Sequence, residues 1–276
     1  MGIFPEGTRT WDGEPMGFDQ GLAKLIKLLK VPVVLLNFEG LYAIKPRWSR
    51  FRRKGAVSLT FKSLLSVEEA QKLSVNDLYN HLNTELGFSF RTWQHHAKVR
   101  FSGKRGAEGV EKTLYLCPSC TKGSTITSKG RTISCTNCSL SYTLNEYDRL
   151  ENNAEGKPIF EDIAAWREWQ HSYLIAQNPA FPDDRGVLFQ QGDETKLITI
   201  TRAFTLRLER NQMTLSTSEQ TYHFAYDDIT SMIINAKNTL EFYCCGILYR
   251  IRIGSNLSIL KYVEYYQSYK PEEASS

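Results

Sequence analysis

Cys117-Pro118-Ser119-Cys120, separated by fourteen residues from Cys135-Thr136-Asn137-Cys138, decides the fold of the middle of this chain. Each C-x2-C turn lets two thiolates converge on one ion, and two such turns complete a tetrahedral four-thiolate site. Between them, Ser124–Thr127 and Arg131–Ser134 alternate like a small hairpin that Tyr142 continues. The expectation is a zinc ribbon in which Cys117, Cys120, Cys135 and Cys138 hold a structural Zn2+, with a dithiol redox pair as the alternative. Four cysteines leave no open position for a substrate water, so the metal's role is to fold the module. The two remaining cysteines, Cys244 and Cys245, are adjacent, and this usage suits a reducing interior rather than a disulfide scaffold. The ribbon's cations (Lys122, Lys129, Arg131) are too sparse to track a phosphate backbone, which disfavours nucleic acid as a partner.

Downstream, residues 157–178 space Ile159, Ile163, Trp166, Trp169 and Tyr173 at three or four positions, the packing stripe of a helix. Asn178-Pro179 and Pro182-Asp183 mark a boundary. From Gly186 to Ile253 the period shortens to two. The strands expected are Val187–Gln190, Lys196–Thr201, Thr205–Glu209, Gln212–Ser216, Thr221–Phe224, Ile229–Ile234, Thr239–Cys244 and Ile247–Ile253. A helix from Ser258 to Tyr269 closes the region. Seven or eight strands capped by one helix are similar to the pleckstrin-homology-like folds, an analogy of fold that licenses no ligand.

Upstream, Ile3-Phe4-Pro5-Glu6-Gly7-Thr8-Arg9 reads as the end of a strand opening into a tight turn. Arg9 offers a planar fork of donors suited to phosphate oxygens, and Thr8 adds a hydroxyl. Glu6 can accept from substrate hydroxyls or hold Arg9, and an ordinary surface turn with an internal ion pair remains open. Residues 19–30 carry Leu22, Leu25, Ile26 and Leu29 at helical spacing with Asp19 as N-cap. Val31 to Asn37 is a buried-strand run, Ala56 to Phe61 a second strand, and Ser66 to Leu86 helical. Residues 45–54 place six cations (Lys45, Arg47, Arg50, Arg52, Arg53, Lys54) around Trp48 and Phe51. That interleaving suits the headgroup zone of an anionic membrane, acidic acyl carrier protein or coenzyme A phosphates.

Phe4-Pro5-Glu6-Gly7-Thr8-Arg9, then Gly21-Leu22-Ala23-Lys24-Leu25 and Val31-Pro32-Val33-Val34, resembles the glycerolipid acyltransferase family, whose members include the 1-acylglycerol-3-phosphate (lysophosphatidic acid) acyltransferases. The resemblance covers roughly residues 1–100 and two of the family's four motifs; the second proline usual in the later motif is Leu35 here. It implies that Glu6, Gly7, Thr8 and Arg9 bind the phosphate and glycerol of the acyl acceptor. It also implies a catalytic His-x4-Asp upstream of that block, where only five residues precede Glu6. The expectation is therefore an N-terminally truncated enzyme, lacking the histidine that takes the acceptor proton and the aspartate that orients it. His223 and Asp228 repeat the spacing, but in a strand-patterned region far along the chain, and are expected to be a coincidence. Ala107 to Glu111 looks like the junction seen in bacterial acyltransferases with an appended ribbon.

Composition bounds these readings. The 276 residues are 41% hydrophobic and 23% charged, globular values sufficient for real cores. Net charge is +4, yet residues 1–63 hold eleven Lys/Arg against five Asp/Glu, which places the basic character where anionic ligands are expected. No apolar run approaches the ~18–20 residues that span a bilayer, and acidic residues among the first fourteen do not fit a signal peptide. The expected fold class is a partial acyltransferase α/β domain (1–105), a four-cysteine zinc ribbon (106–148), a helical linker (149–185), a β-rich pleckstrin-homology-like domain (186–270) and a tail (271–276). The expected function is acyl transfer in phospholipid synthesis, from acyl-CoA or acyl carrier protein to lysophosphatidic acid or a related acceptor. The expected location is cytoplasmic, peripheral at the inner face of the cell membrane through residues 45–54. The rival is a non-catalytic ribbon-and-sheet adaptor at a membrane or protein partner.

Overall fold

The computed structural model describes residues 1–153, 158–193 and 195–270, so the tail 271–276 and position 157 of the helical stripe lie outside the described residues. The chain is mixed α/β and divides into two compact units, one of residues 1–106 with the Asn145–Arg149 turn, the other of the remainder. Among the described residues no helix is long and apolar enough to cross a membrane.

In the first unit, α1 (Gly21–Leu29) leads into β1 (Val33–Glu39), which pairs antiparallel with β2 (Ser58–Leu65). Lys30 ends α1 in the left-handed region with its N–H on the Ile26 carbonyl, and Pro32 prevents continuation. A short α2 (Leu41–Ile44) follows β1. After β2 come α3 (Val67–Lys72), α4 (Val75–Leu86) and α5 (Phe90–Ala97). Ala23, Ile26, Leu35, Leu65, Ala70, Leu78 and Leu82 form one core, which joins α1 and α4 to one face of the sheet. Ala43, Phe90 and Phe101 form a second. Arg53 is buried in this unit, where it donates to the Ala43 carbonyl (2.7 Å) and pairs with Asp148 (2.5 Å).

Five local expectations change, the first at the 31–37 run, where the strand begins only at Val33 and leaves Val34 and Leu36 exposed rather than buried. Ile3 and Phe4 are not in a strand; among the described residues the sheet of this unit is β1 and β2 alone. The helical run 66–86 breaks in two because Ser74, extended at ψ 165°, caps a new helix by accepting from the Asp77 N–H. Its predecessor begins with a capping box between Ser66 and Glu69. α1 turns Ala23 and Ile26 inward, while Leu29 is exposed and Asp19 binds the Gly21 N–H from one residue before the cap.

In the second unit, β3 (Ile126–Lys129), β4 (Thr132–Cys135), β5 (Ser141–Leu144) and β6 (Leu150–Asn152) form an antiparallel sheet in that order. Helix α6 (Ile163–Gln177) starts at Asp162, whose carboxylate accepts from the Ala165 N–H at 2.8 Å. Eight strands follow: β7 (Asp184–Gly192), β8 (Leu197–Thr201), β9 (Phe204–Leu208), β10 (Gln212–Ser216), β11 (Thr221–Ala225), β12 (Ile229–Asn235), β13 (Thr239–Cys244) and β14 (Ile247–Ile253). They pair antiparallel in the order β11-β10-β9-β7-β14-β13-β12, and β8 pairs with the far half of β7. The sheet curls on itself: Phe224 of β11, near one end of the path, stacks edge-on against Phe242 of β13, near the other, with centroids 4.9 Å apart. Alternation explains the interior, since Phe189, Leu206, Leu215, Phe224, Leu240, Phe242 and Ile251 all point inward.

Helix α7 (Leu260–Tyr269) completes this unit. Its Lys261 is fully buried, paired with Asp184 at 2.7 Å and donating to the Ser124 hydroxyl at 3.1 Å. Glu264 accepts from the Tyr115 hydroxyl and pairs with Arg167 of α6. Gln170 of α6, also fully buried, accepts from the Tyr115 and Leu116 N–H groups and donates to the Thr113 carbonyl. The four-cysteine sheet, the two helices and the curled sheet thus share one set of buried polar bonds.

Candidate functional site

The first cysteine pair sits in a knuckle closed by Cys117 N–H on the Lys122 carbonyl and Thr121 N–H on the Cys117 carbonyl. Thr121 and Ser124 take left-handed φ values of 56° and 58°, which turns the chain back sharply enough for both sulfurs to face one point. The second pair begins where β4 ends at Cys135. There the Cys135 N–H binds the Leu140 carbonyl, and the Asn137 N–H donates to the Cys135 sulfur at 3.3 Å. All four Sγ atoms lie within 4.8 Å of one another. Cys117 and Cys138 are 3.6 Å apart, and Cys120 and Cys135 are 3.7 Å apart. Sulfurs held about 2.3 Å from a central ion at tetrahedral angles are about 3.8 Å apart. The four cysteines are therefore positioned to bind a metal ion. Burial pushes the Cys117 thiol up. Burial acts the same way at Cys120 but is outweighed, chiefly by hydrogen bonds from Lys122 and Asn137, and its value falls to about 7.

Glu6, Gly7, Thr8 and Arg9 form a tight turn: the Gly7 N–H binds the Phe4 carbonyl at 3.1 Å and Gly7 has a φ of +66°. A side chain there would be strained, so glycine is required by the backbone. Glu6 accepts from the Met16 N–H at 3.1 Å. Burial raises its pKa, with the Met16 bond opposing and the Asp12 charge assisting. Arg9 is exposed and donates to the Lys45 carbonyl at 3.4 Å, so it is not held by Glu6. Thr8 is exposed beside it.

Sequence reasoning missed Arg47 as a neighbour of this turn. Its guanidinium lies 4.5 Å from the Trp11 ring centroid and donates to the Arg9 carbonyl at 3.2 Å. Burial, and then the Arg9 charge, lower its pKa to about 10. The 36- to 38-residue separation left no local signal for this contact.

Residues 45–54 do not present the interleaved surface their composition suggests. Trp48 is fully buried, with its indole N–H 3.3 Å from the Tyr42 hydroxyl, and Arg47 and Arg53 are buried too. Phe51 is capped by Arg105, whose guanidinium carbon is 3.7 Å from the ring centroid. The exposed cations are Arg50, Arg52 and Lys54. A composition count cannot separate a cation facing water from one bonded beneath a loop.

His223 points outward from β11, with its Nδ1 3.3 Å from the Thr214 hydroxyl across the strand pair. Asp228 is exposed in the helical turn after that strand. The thiols of Cys244 and Cys245 also part company, the first buried and the second exposed. Comparison of this chain with known protein families, with curated proteins and with solved structures finds no match.

Proposed function

We propose that this chain is the C-terminal portion of an acyltransferase that moves a fatty acyl group from a thioester donor to 1-acylglycerol-3-phosphate or a similar acceptor. The observation carrying the reading is the Glu6–Arg9 turn, with an exposed guanidinium and hydroxyl side by side on a backbone that only glycine relaxes. Arg9 binds the acceptor phosphate through its fork of donors, and Thr8 adds a hydroxyl bond. Arg9's own tether is to a neutral carbonyl, which leaves its charge uncompensated locally. Glu6 and Gly7 shape the turn. The histidine–aspartate pair that takes the acceptor proton belongs, in this reading, to polypeptide beyond these 276 residues.

The metal is zinc in this proposal, held by Cys117, Cys120, Cys135 and Cys138. When bound it supplies a cross-link between the two knuckles and no reaction chemistry. The curled sheet with α7 against it is read as a pleckstrin-homology-like domain, and the whole as a peripheral protein on the cytoplasmic face of an anionic membrane. Acyl-CoA and acyl carrier protein are both suitable donors.

Two observations test this. In the DNA upstream of Met1, an open frame encoding His-x4-Asp supports the enzyme, and a stop codon with no such frame favours the adaptor. In the longer gene product, Arg9→Ala is expected to lower acyl transfer to lysophosphatidic acid by about 100-fold or more, the scale of one lost charged anchor. Unchanged transfer would remove the acceptor-phosphate role from Arg9.

A further inference from the structure

The two faces of the β1–β2 sheet differ in a way that runs against their sequence. Toward α1 and α4, β2 turns Ser58, Thr60, Ser63 and, at its end, the buried Leu65; away from them it turns Leu59, Phe61 and Leu64. Those three pair across the sheet with Phe38, Leu36 and Val34 of β1. All six side chains belong to residues between 41% and 62% exposed. Phe4 lies against the same face, its ring centroid 6.4 Å from that of Phe38. Because strand side chains alternate strictly, a strand's apolar set marks the face destined for cover. In β2 three of the four leucine and phenylalanine side chains mark the outer face. β1 is apolar on both sides, as a strand between two layers is.

We propose that this face pairs with the same face of a second copy of the chain. The six residues expose on the order of 500 Å² of apolar surface, at the upper end of the largest patches that monomers carry. Doubled by symmetric pairing, this reaches about 1,000 Å², the threshold for a specific interface, before any contribution from the rim. The patch holds leucine, valine and phenylalanine with Lys62 at the bulge, and no tryptophan or tyrosine. That composition matches a protein core rather than a membrane-interface belt. A twofold axis lets one apolar patch serve both partners, and two sheets packed about 10 Å apart interdigitate such side chains. The inference is argued from the sheet's exposed face; a longer gene product that is monomeric would assign that face instead to the polypeptide that the acyltransferase reading places beyond these residues.

Sedimentation equilibrium of the whole chain over about a hundredfold concentration range tests the pairing. The wild type is expected at twice the chain mass of 31.7 kDa. Leu36→Asp and Phe61→Lys, at exposed positions and checked for unchanged circular dichroism, are each expected to raise the dimer dissociation constant about 100-fold or more by burying a charge. Ile233→Asp, on an exposed position of β12 in the other unit, is expected to leave the dimer intact. A monomeric wild type, a dimer of unchanged strength in both sheet variants, or an open-ended series of oligomers overturns the proposal. So does a monomer that floats with anionic phospholipid vesicles, which would assign the face to lipid.

Discussion

Arg53 and Asp148 meet with almost no access to water, the arginine also bonded to the Ala43 carbonyl. Removing one partner leaves the other charge buried, so Asp148→Ala is expected to cost about 3–5 kcal/mol in denaturant unfolding. A double change to apolar residues of similar volume should recover most of that loss. Arg53 shows what the composition of the 45–54 run conceals: six cations in ten residues read as a membrane-facing loop, yet two of them, Arg47 and Arg53, and the Trp48 between them are interior. Their partners, Trp11, Tyr42 and Asp148, lie 6 to 95 residues away, beyond what a local pattern carries. Glu6, Gly7, Thr8 and Arg9 were legible as a turn because glycine and proline mark one chemically. That Glu6 spends its carboxylate on Met16 rather than on Arg9 was not.

Gln170 lets helix α6 support the chain leading into the four-cysteine segment, satisfying two N–H groups and a carbonyl of residues 113–116 from one side chain. Gln170→Leu keeps the volume but strands three buried backbone groups at about 1–3 kcal/mol each, so a loss of at least about 3 kcal/mol is expected in urea unfolding. Gln170→Glu, which retains the acceptor, should separate the two N–H bonds from the third. The strands from β8 to β14 were legible to within a residue at either end because turn residues bound them, whereas β7, expected over Val187–Gln190, runs from Asp184 to Gly192 past an irregularity at Phe189. The division between α3 and α4 was not. Leu73-Ser74 fits a continuous helical stripe, and only the Ser74 hydroxyl on the Asp77 N–H reveals a new start. The sheet's outer face was written in Leu59, Phe61 and Leu64, but its lack of cover appears only with the helices in place.

At the scale of the molecule, two units with separate cores imply separable stabilities. Bonds from Trp166 of α6, from Ser258 just ahead of α7 and from Lys261 of α7 into residues 112–124 tie the four-cysteine segment to the rest of its unit. Removing the metal with a strong chelator is therefore expected to lower the melting temperature of that whole unit. Calorimetry before and after chelation, with metal content assayed in parallel, checks this; an unmoved profile after complete metal loss would contradict it. Protons compete with the ion for thiolate sulfur, so the metal-dependent stabilisation should fall as pH falls. Against the opposing effect of burial, hydrogen bonds from Lys122 and Asn137 bring the Cys120 sulfur down to about 7.

The most direct test of the central claim is the affinity of the intact chain for lysophosphatidic acid below its micellar concentration, measured by calorimetric titration for wild type and Arg9→Ala. A lysophospholipid whose phosphate is esterified to choline serves as the comparator. Saturable binding of lysophosphatidic acid is expected, weakened at least about tenfold by Arg9→Ala, with weak binding of the choline ester at either protein. Equal affinity of wild type and variant, or no preference for the free phosphate, would contradict the claim.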